Sequence, residues 1–342
     1  MSRILVIGGG LSGCTVAYRL ACSNIDVTLV EKSNTIGGRV RSYGCKAVEK
    51  CQNCGVCLTG GLWDIVSKHP KIQIITNAEV KDITGGPGAF SVVVATDLTK
   101  RHIDSINAIV VSTGFESLSG GISSHLQVEG TTGLITGTQL EELLLRRTLT
   151  GLFDSIPRSI AFIQCPGSRD NKEGGFYCSR VCCSYSTRAA KVFRHYYPEC
   201  EIVFFYMELQ NVESGNYYSG LRESGIEFIK CRPSKISGGS PVTIEYDKPG
   251  VGITSKEFDL VVLSDGIHAG VDNDRLADIC RLGQDKDGFL RSVGADSGVY
   301  VAGCTRAPMK IDEAYADSVA VAALIEQKLD SGKWRISKPS TR

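Results

Sequence analysis

Four cysteines of this chain fall in the pattern C-x12-C-x3-C-C: Cys165, Cys178, Cys182 and Cys183. Thiolates grouped in this way form the ligand set of a soft metal centre, an iron–sulfur cluster first and tetrahedral zinc second. Thiols that merely pack are the bland alternative. Adjacent Cys182-Cys183 with another cysteine one helical turn earlier is an odd way to fill a core. A second group, Cys45, Cys51, Cys54 and Cys57, contains C-x2-C-x2-C. Its spacing permits a redox dithiol, a second cluster, zinc or structural thiols. C-x-x-C thiols often ionise easily and exchange with sulfur compounds, which makes Cys54 and Cys57 candidate catalytic residues. Lys46 and Lys50 would favour thiolate there, or simply form a solvated face. The other six of the fourteen cysteines are scattered and read as small buried hydrophobes. The five histidines show no metal spacing.

The first group needs a strand-to-helix turn to gather it. Residues 159–164, Ser-Ile-Ala-Phe-Ile-Gln, read as a buried strand that runs into Cys165, and a helix-like stretch follows Cys183 to about His195. A similar arrangement opens the chain. Ile4-Leu5-Val6-Ile7 is a continuous apolar run, as in a strand covered on both faces. It leads into Gly8-Gly9-Gly10-Leu11-Ser12-Gly13, a helix through Leu20, and a strand Val27–Val30 that ends at Glu31. This is the dinucleotide fingerprint in its proper context. The glycines allow a tight turn and close backbone approach, the helix N-terminus receives pyrophosphate, and the acid accepts from ribose hydroxyls.

Further strands at 201–206, 226–228 and 260–263, with a helix around 217–224, repeat the same order in the middle of the chain. There the glycine loop is replaced by Gln164-Cys165-Pro166-Gly167-Ser168-Arg169. Proline lacks a donor, and cysteine stands where glycine would let backbone approach a phosphate. No basic pair follows the next strand to hold a 2′-phosphate. This half is expected to have lost NAD(P)H and to carry a metal centre on the same turn. Gly85–Gly88 and Gly238-Gly239 read as hairpin turns, and Tyr217-Tyr218 as helix surface.

Basic and acidic residues nearly cancel, leaving +1, so nothing suggests a nucleic-acid or membrane-surface binder. No apolar run is long enough to span a bilayer, and Met1-Ser2-Arg3 leads straight into a strand without a signal peptide. Grouped cysteines in a chain of this kind fit a reducing, cytoplasmic setting and metal or redox chemistry.

The continuation Glu31-Lys32-x4-Gly37-Gly38-Arg39 resembles the two-dinucleotide-domain flavoproteins, a superfamily that includes thioredoxin reductase. Three more segments match in order: Val80 as the backbone contact to adenine, Ser112-Thr113-Gly114 closing the first half-domain, and Val301-Ala302-Gly303 before a helix at about 312–330. The resemblance implies an α/β, thioredoxin-reductase-like flavoprotein with two Rossmann-type nucleotide-binding domains. FAD would be held by Gly8, Gly10, Ser12, Gly13, Glu31, Lys32, Gly38, Arg39, Val80, Thr113, Gly114, Gly303 and Cys304. Cys304 departs from the pattern, because the superfamily has an acid after that glycine to bond the ribityl chain. The implied organisation is a first FAD part at 1–116, a degenerate NAD(P)H-like domain with the cluster at 117–267, a second FAD part at 268–330, and a tail at 331–342 that is polar and expected to fray from Ile336.

Four signatures narrow this further: Phe162-Ile163-Gln164-Cys165-x-Gly167-Ser168-Arg169, Tyr177-Cys178-Ser179-Arg180-Val181-Cys182-Cys183, Phe258–Ser264, and Val301–Cys304. They resemble the A-subunit family of heterodisulfide reductase over residues 1–330, and most closely its short form in the sulfur-oxidising heterodisulfide reductase-like complex. That resemblance implies FAD, a [4Fe-4S] cluster on Cys165, Cys178, Cys182 and Cys183, and electron transfer in cytoplasmic sulfur oxidation. It also implies a homodimer inside a complex with other iron–sulfur subunits, and sulfur carried by a lipoate-binding protein. Extra ferredoxin segments of the long subunits have no counterpart here. Bifurcating relatives have lysine beside the flavin, five residues after the last cluster cysteine; this chain has Arg188. Arginine keeps its proton and would fix a positive charge there, so flavin-based bifurcation is not expected. Two rival readings remain: a free-standing pyridine-nucleotide disulfide reductase, which needs a working second glycine loop, and a scaffold subunit with structural FAD.

Overall fold

A computed structural model describes residues 2–117, 127–129, 132–146, 156–169, 176–210, 217–294, 296–332 and 334. The chain divides into two units, each built on a five-stranded parallel sheet.

In the first unit the strands lie in the order Val299–Val301, Ala108–Val111, Arg3–Ile7, Asp26–Val30, Ile72–Ile75. The apolar runs are continuous because both faces of the sheet are covered. Ile4 and Val6 point into one core with Leu20 of the helix Leu11–Cys22 and Ile325 of the helix Ile311–Asp330. Leu5 and Ile7 point the other way, onto Val80, Val92 and Ile106 of an antiparallel meander. That meander is Ala78–Thr84, Phe90–Thr96 and Lys100–Ile106, and Gly85–Gly88 form the turn between its first two strands.

The second unit repeats this plan. Its strands run Glu227–Lys230, Glu201–Tyr206, Ser159–Gln164, Leu260–Ser264, Leu134–Thr136. Ile160 and Phe162 meet Ala189 and Phe193 of the helix Cys182–Tyr196, while Ala161 and Ile163 face Ile244 and Phe258 of a second meander. Gly238-Gly239 sit between the meander strands Lys235–Ser237 and Val242–Lys248. The side chains of Tyr217 and Tyr218 lie outside the described residues.

One placement differs from the sequence reading. Residues 42–54 cluster with the second unit, although a first part running unbroken from 1 to 116 would have placed them in the FAD domain. The attachment has a physical basis. Lys46 Nζ and Glu141 Oε2 form a buried ion pair at 2.5 Å, and Gly44 packs against the Leu144–Leu145 backbone. Trp334 is buried, stacked edge-on against Tyr300, and its carbonyl accepts from Asn107 Nδ2 at 2.9 Å. The rest of the tail from 335 lies outside the described residues. No helix among the described residues is long and apolar enough to cross a membrane.

Candidate functional site

In the first unit the glycine loop leaves the central strand and turns into the helix Leu11–Cys22. A Cβ on Gly13 would collide with the Gly8 carbonyl oxygen, so only glycine allows the loop to close onto the helix. Gly38 has φ +57°, and a Cβ there would lie 2.9 Å from the Gly10 Cα. The two loops therefore touch backbone to backbone. No side chain caps the helix N-terminus at Gly10, and its first turn carries no acidic residue. Such an end, with its positive dipole and close-packed glycines, suits a pyrophosphate.

Glu31 holds this loop in shape. Its Oε2 accepts from the Gly9 N–H at 2.6 Å, and its Oε1 accepts from the backbone and hydroxyl of Ser33. Arg39 donates to the Phe115 carbonyl, pairs with Glu116 at 2.6 Å and lies over the Phe115 ring. Lys32 is an exposed partner of Asp272 and Glu79, and hydrogen bonding to Asp272 pushes its pKa up. The Val80 carbonyl accepts from Arg275 at 2.7 Å, at a break in the strand register. Thr113 is exposed, and the Gly114 N–H donates to Thr305 Oγ1 at 2.7 Å.

At Gly303-Cys304 the structure supplies an acid that the local sequence does not. Asp317 Oδ2 accepts from the Gly303 N–H at 2.8 Å, and its Oδ1 pairs with Arg306 at 2.9 Å. A Cβ at Gly303 would clash with Ser12 Oγ, which brings this turn against the first glycine loop. The Cys304 thiol is turned toward the Met309 carbonyl, and burial pushes its pKa up to about 11. Asp317 and Thr305 were missed from sequence. Thr305 was within reach, two residues after Gly303, whereas Asp317 needed the helix position.

The second unit places the other thiols at the matching turn. Cys165 is the first residue after its central strand, as Gly8 is in the first unit, and both have left-handed backbone (φ +58° and +99°). Cys182 and Cys183 open the helix, as Leu11 does. Eight non-glycine residues among those described have left-handed backbone, and Cys165, Arg169 and Arg180 are three of them. Strained backbone of this kind clusters at active sites and ligand clamps.

The turn is fastened by neutral hydrogen bonds. Gln164 Nε2 donates to Ser186 and Ser264, Tyr177 donates to the Ile267 carbonyl, and Ser179 Oγ accepts from the Ile267 N–H. The Arg180 N–H donates to Cys178 Sγ at 3.3 Å.

The four thiols feel one another. Burial first, and then the neighbouring thiols Cys183, Cys165 and Cys178, push Cys182 far above the usual thiol range. Burial raises Cys183 to about 11, and burial also raises Cys165 against the opposing charge of Arg169. Among the described residues, no three of His, Cys, Asp or Glu stand at metal-binding distances from one another. The donor set still suits a soft cation. Buried thiols that resist ionisation through burial and mutual repulsion become thiolates when a positive centre replaces their protons.

Cys45, Cys51 and Cys57 are exposed and Cys54 is half-buried. Cys54 ends the stretch that packs with the second unit, and Cys57 lies in a short 3-10 turn, Val56–Thr59, of the first. Arg188 is buried on the same helix as Cys182 and Cys183. Its guanidinium donates to the carbonyls of Gln52 (2.8 Å) and Asn53 (3.2 Å). The residue expected to set a charge thus grips the backbone between Cys51 and Cys54.

Residues 6–56 match the family described as an NAD(P)-binding Rossmann-like domain. Curated homologues are heterodisulfide reductase A subunits. That of the ferredoxin/F(420)H(2)-dependent CoB-CoM heterodisulfide reductase of Methanosarcina acetivorans is 26% identical over 97% of this chain and 54% of its own length. An iron–sulfur A subunit of the CoB–CoM heterodisulfide reductase of Methanopyrus kandleri is 27% identical over 97% of this chain and 65% of its own. The chain therefore spans between half and two thirds of these relatives. Thioredoxin reductase from Lactococcus lactis superposes with a TM-score of 0.63 at 15% identity, covering 97% of this chain and all of that one. The fold is of the thioredoxin reductase kind.

Proposed function

We propose that the chain is an electron-transfer oxidoreductase subunit that acts on sulfur groups, with FAD on its first unit and a [4Fe-4S] cluster on its second. One observation carries this reading: Cys165 takes, in the second unit, the left-handed position that Gly8 takes in the first. The turn that would cradle a second nucleotide presents thiols instead. When bound, the flavin exchanges two electrons with sulfur compounds and the cluster accepts them singly.

The chain's own residues divide the tasks. Gly8, Gly10, Ser12 and Gly13 bring backbone to the pyrophosphate, and Glu31 is placed to exchange its Gly9 contact for a ribose hydroxyl. Gly38, Arg39, Thr113, Gly114 and Gly303 frame the rest of the flavin. Cys165, Cys178, Cys182 and Cys183 ligate the cluster. Cys54 and Cys57 handle substrate sulfur, and Arg188 fixes the backbone that carries Cys54. The homologues support partner subunits, and the reading extends to a heterodisulfide reductase-like complex of sulfur oxidation, with a lipoate-bound sulfur substrate and a homodimeric core.

Anaerobically purified protein should contain about four irons and four acid-labile sulfides per flavin. No iron, or zinc in its place, would defeat the proposal; about eight irons would make the second cysteine group a cluster.

Asp317 replaces the acid missing at Cys304. Its substitution by asparagine should weaken FAD retention about tenfold or more, because a hydrogen bond to a charged group contributes about 1.5–3 kcal/mol. Flavin release in equilibrium dialysis measures this. Unchanged retention would remove Asp317 from the flavin site.

A further inference from the structure

We infer that Arg169 is the charge-setting residue of the cysteine corner, its guanidinium placed to donate into the thiolate–sulfide centre and to hold that centre at a higher potential. This rests on the proposed cluster and assigns a role to one of the chain's own side chains.

Arg169 is fixed at both ends. Its backbone is left-handed, with φ +58°, and its N–H donates to the Tyr177 carbonyl at 3.3 Å. The turn after Cys165 is thereby tied to the segment entering Cys178. At the other end, Nη2 is held by the exposed carboxylate of Glu208 at 3.0 Å. Nη1 is buried and hydrogen-bonds none of the described groups. A buried charged donor is costly to leave unpaired, so its partner is expected to arrive with a ligand.

The neighbours indicate which ligand. The Arg169 charge acts on Cys165, Cys178 and Cys183. Arg232 adds a second positive field at Cys165. A surface pair with Glu208 would by itself contribute little, and it leaves the buried nitrogen unexplained.

Four thiolates around an iron–sulfide core carry net negative charge, and the reduced centre carries one electron more. A guanidinium that cannot lose its proton stabilises the reduced form more than the oxidised one. Net charge and hydrogen bonds to sulfur are the levers that set such potentials.

The test is an anaerobic redox titration of the full chain, read by the cluster's visible and paramagnetic signals, with iron and sulfide counted in each variant. Arg169→Gln should keep its iron and shift the cluster to a lower midpoint potential. Arg169→Lys should fall between it and the wild type. Glu208→Gln removes an exposed counter-charge and should move the potential upward by a smaller step. Opposite signs at the two positions distinguish charge from simple loosening of the turn. An unmoved potential in an iron-replete Arg169→Gln protein would overturn the inference, as would shifts of the same sign in both variants. If Arg169→Gln loses its iron, Arg169→Lys and Glu208→Gln decide, and unmoved potentials in both reject the role. A wild-type chain without iron would instead sink the cluster proposal itself.

Discussion

Cys182→Ser is expected to abolish the broad visible absorbance of the cluster and its iron while leaving FAD bound. Cys182 is tightly held. It is 2% exposed, it starts the helix, and its carbonyl is gripped by Ser186 Oγ at 2.5 Å. A serine hydroxyl is a harder donor and does not ionise as a thiol does, so the fourth ligand is lost rather than exchanged. The residues proposed to hold the flavin are others, Gly8–Gly13, Glu31, Gly38 and the Gly303–Asp317 pair, all in the first unit. FAD content per chain should therefore stay at the wild-type level. Cys200→Ser is the matched control. That thiol is also buried in the second unit, but it points to the Glu201 carbonyl and belongs to neither cysteine group, so the protein should keep its iron. A Cys182→Ser protein with full iron, sulfide and cluster absorbance would rule out the ligand set.

The sheets were legible in the sequence because burial on both faces leaves a local mark. Ile4–Ile7 and Ser159–Gln164 are apolar throughout most of their length, and both became central parallel strands. The first glycine loop was legible for a similar reason, since close backbone approach admits one residue type. The cysteine turn stood out because its thiols are near each other along the chain. What escaped were pairings that no window of sequence contains. The Lys46–Glu141 pair spans 95 residues and the Arg188–Gln52 bond spans 136. Without them, residues 42–54 read as a continuation of the segment before. Asp317 was hidden in the same way. Its approach to Gly303 depends on where the last helix packs, and charge on a helix does not announce which partner it meets. Trp334 likewise takes its place from Tyr300 and Asn107, which lie far from it in the chain.

Lys46→Met should cost about 3–5 kcal/mol of stability at neutral pH, the usual penalty for removing one partner of a buried ion pair. Lys46 and Glu141 are 3% and 8% exposed at their side chains. Burial raises the Glu141 pKa, and Lys46 is the first of the groups that oppose this. Without the lysine, the carboxylate is left charged in a dry site, and its pKa rises further. The pH dependence follows from that sign. A carboxyl whose folded pKa is raised adds stability that is fully present below its unfolded pKa of about 4.3 and is lost as pH rises through the folded value. The defect of Lys46→Met should therefore shrink as the solution is acidified toward that range. Chemical denaturation of the variant and wild type at several pH values measures it. The double variant Lys46→Met, Glu141→Leu should recover most of the loss, since an apolar pair of similar volume replaces a buried ion pair at little or no cost. Equal destabilisation in the single and double variants would show that the lysine stem, and not the unpaired charge, anchors the segment. If the charge is what matters, the single variant should also free residues 42–54 from the second unit, exposing Cys54 to alkylation faster than in wild type, and the double variant should restore its protection.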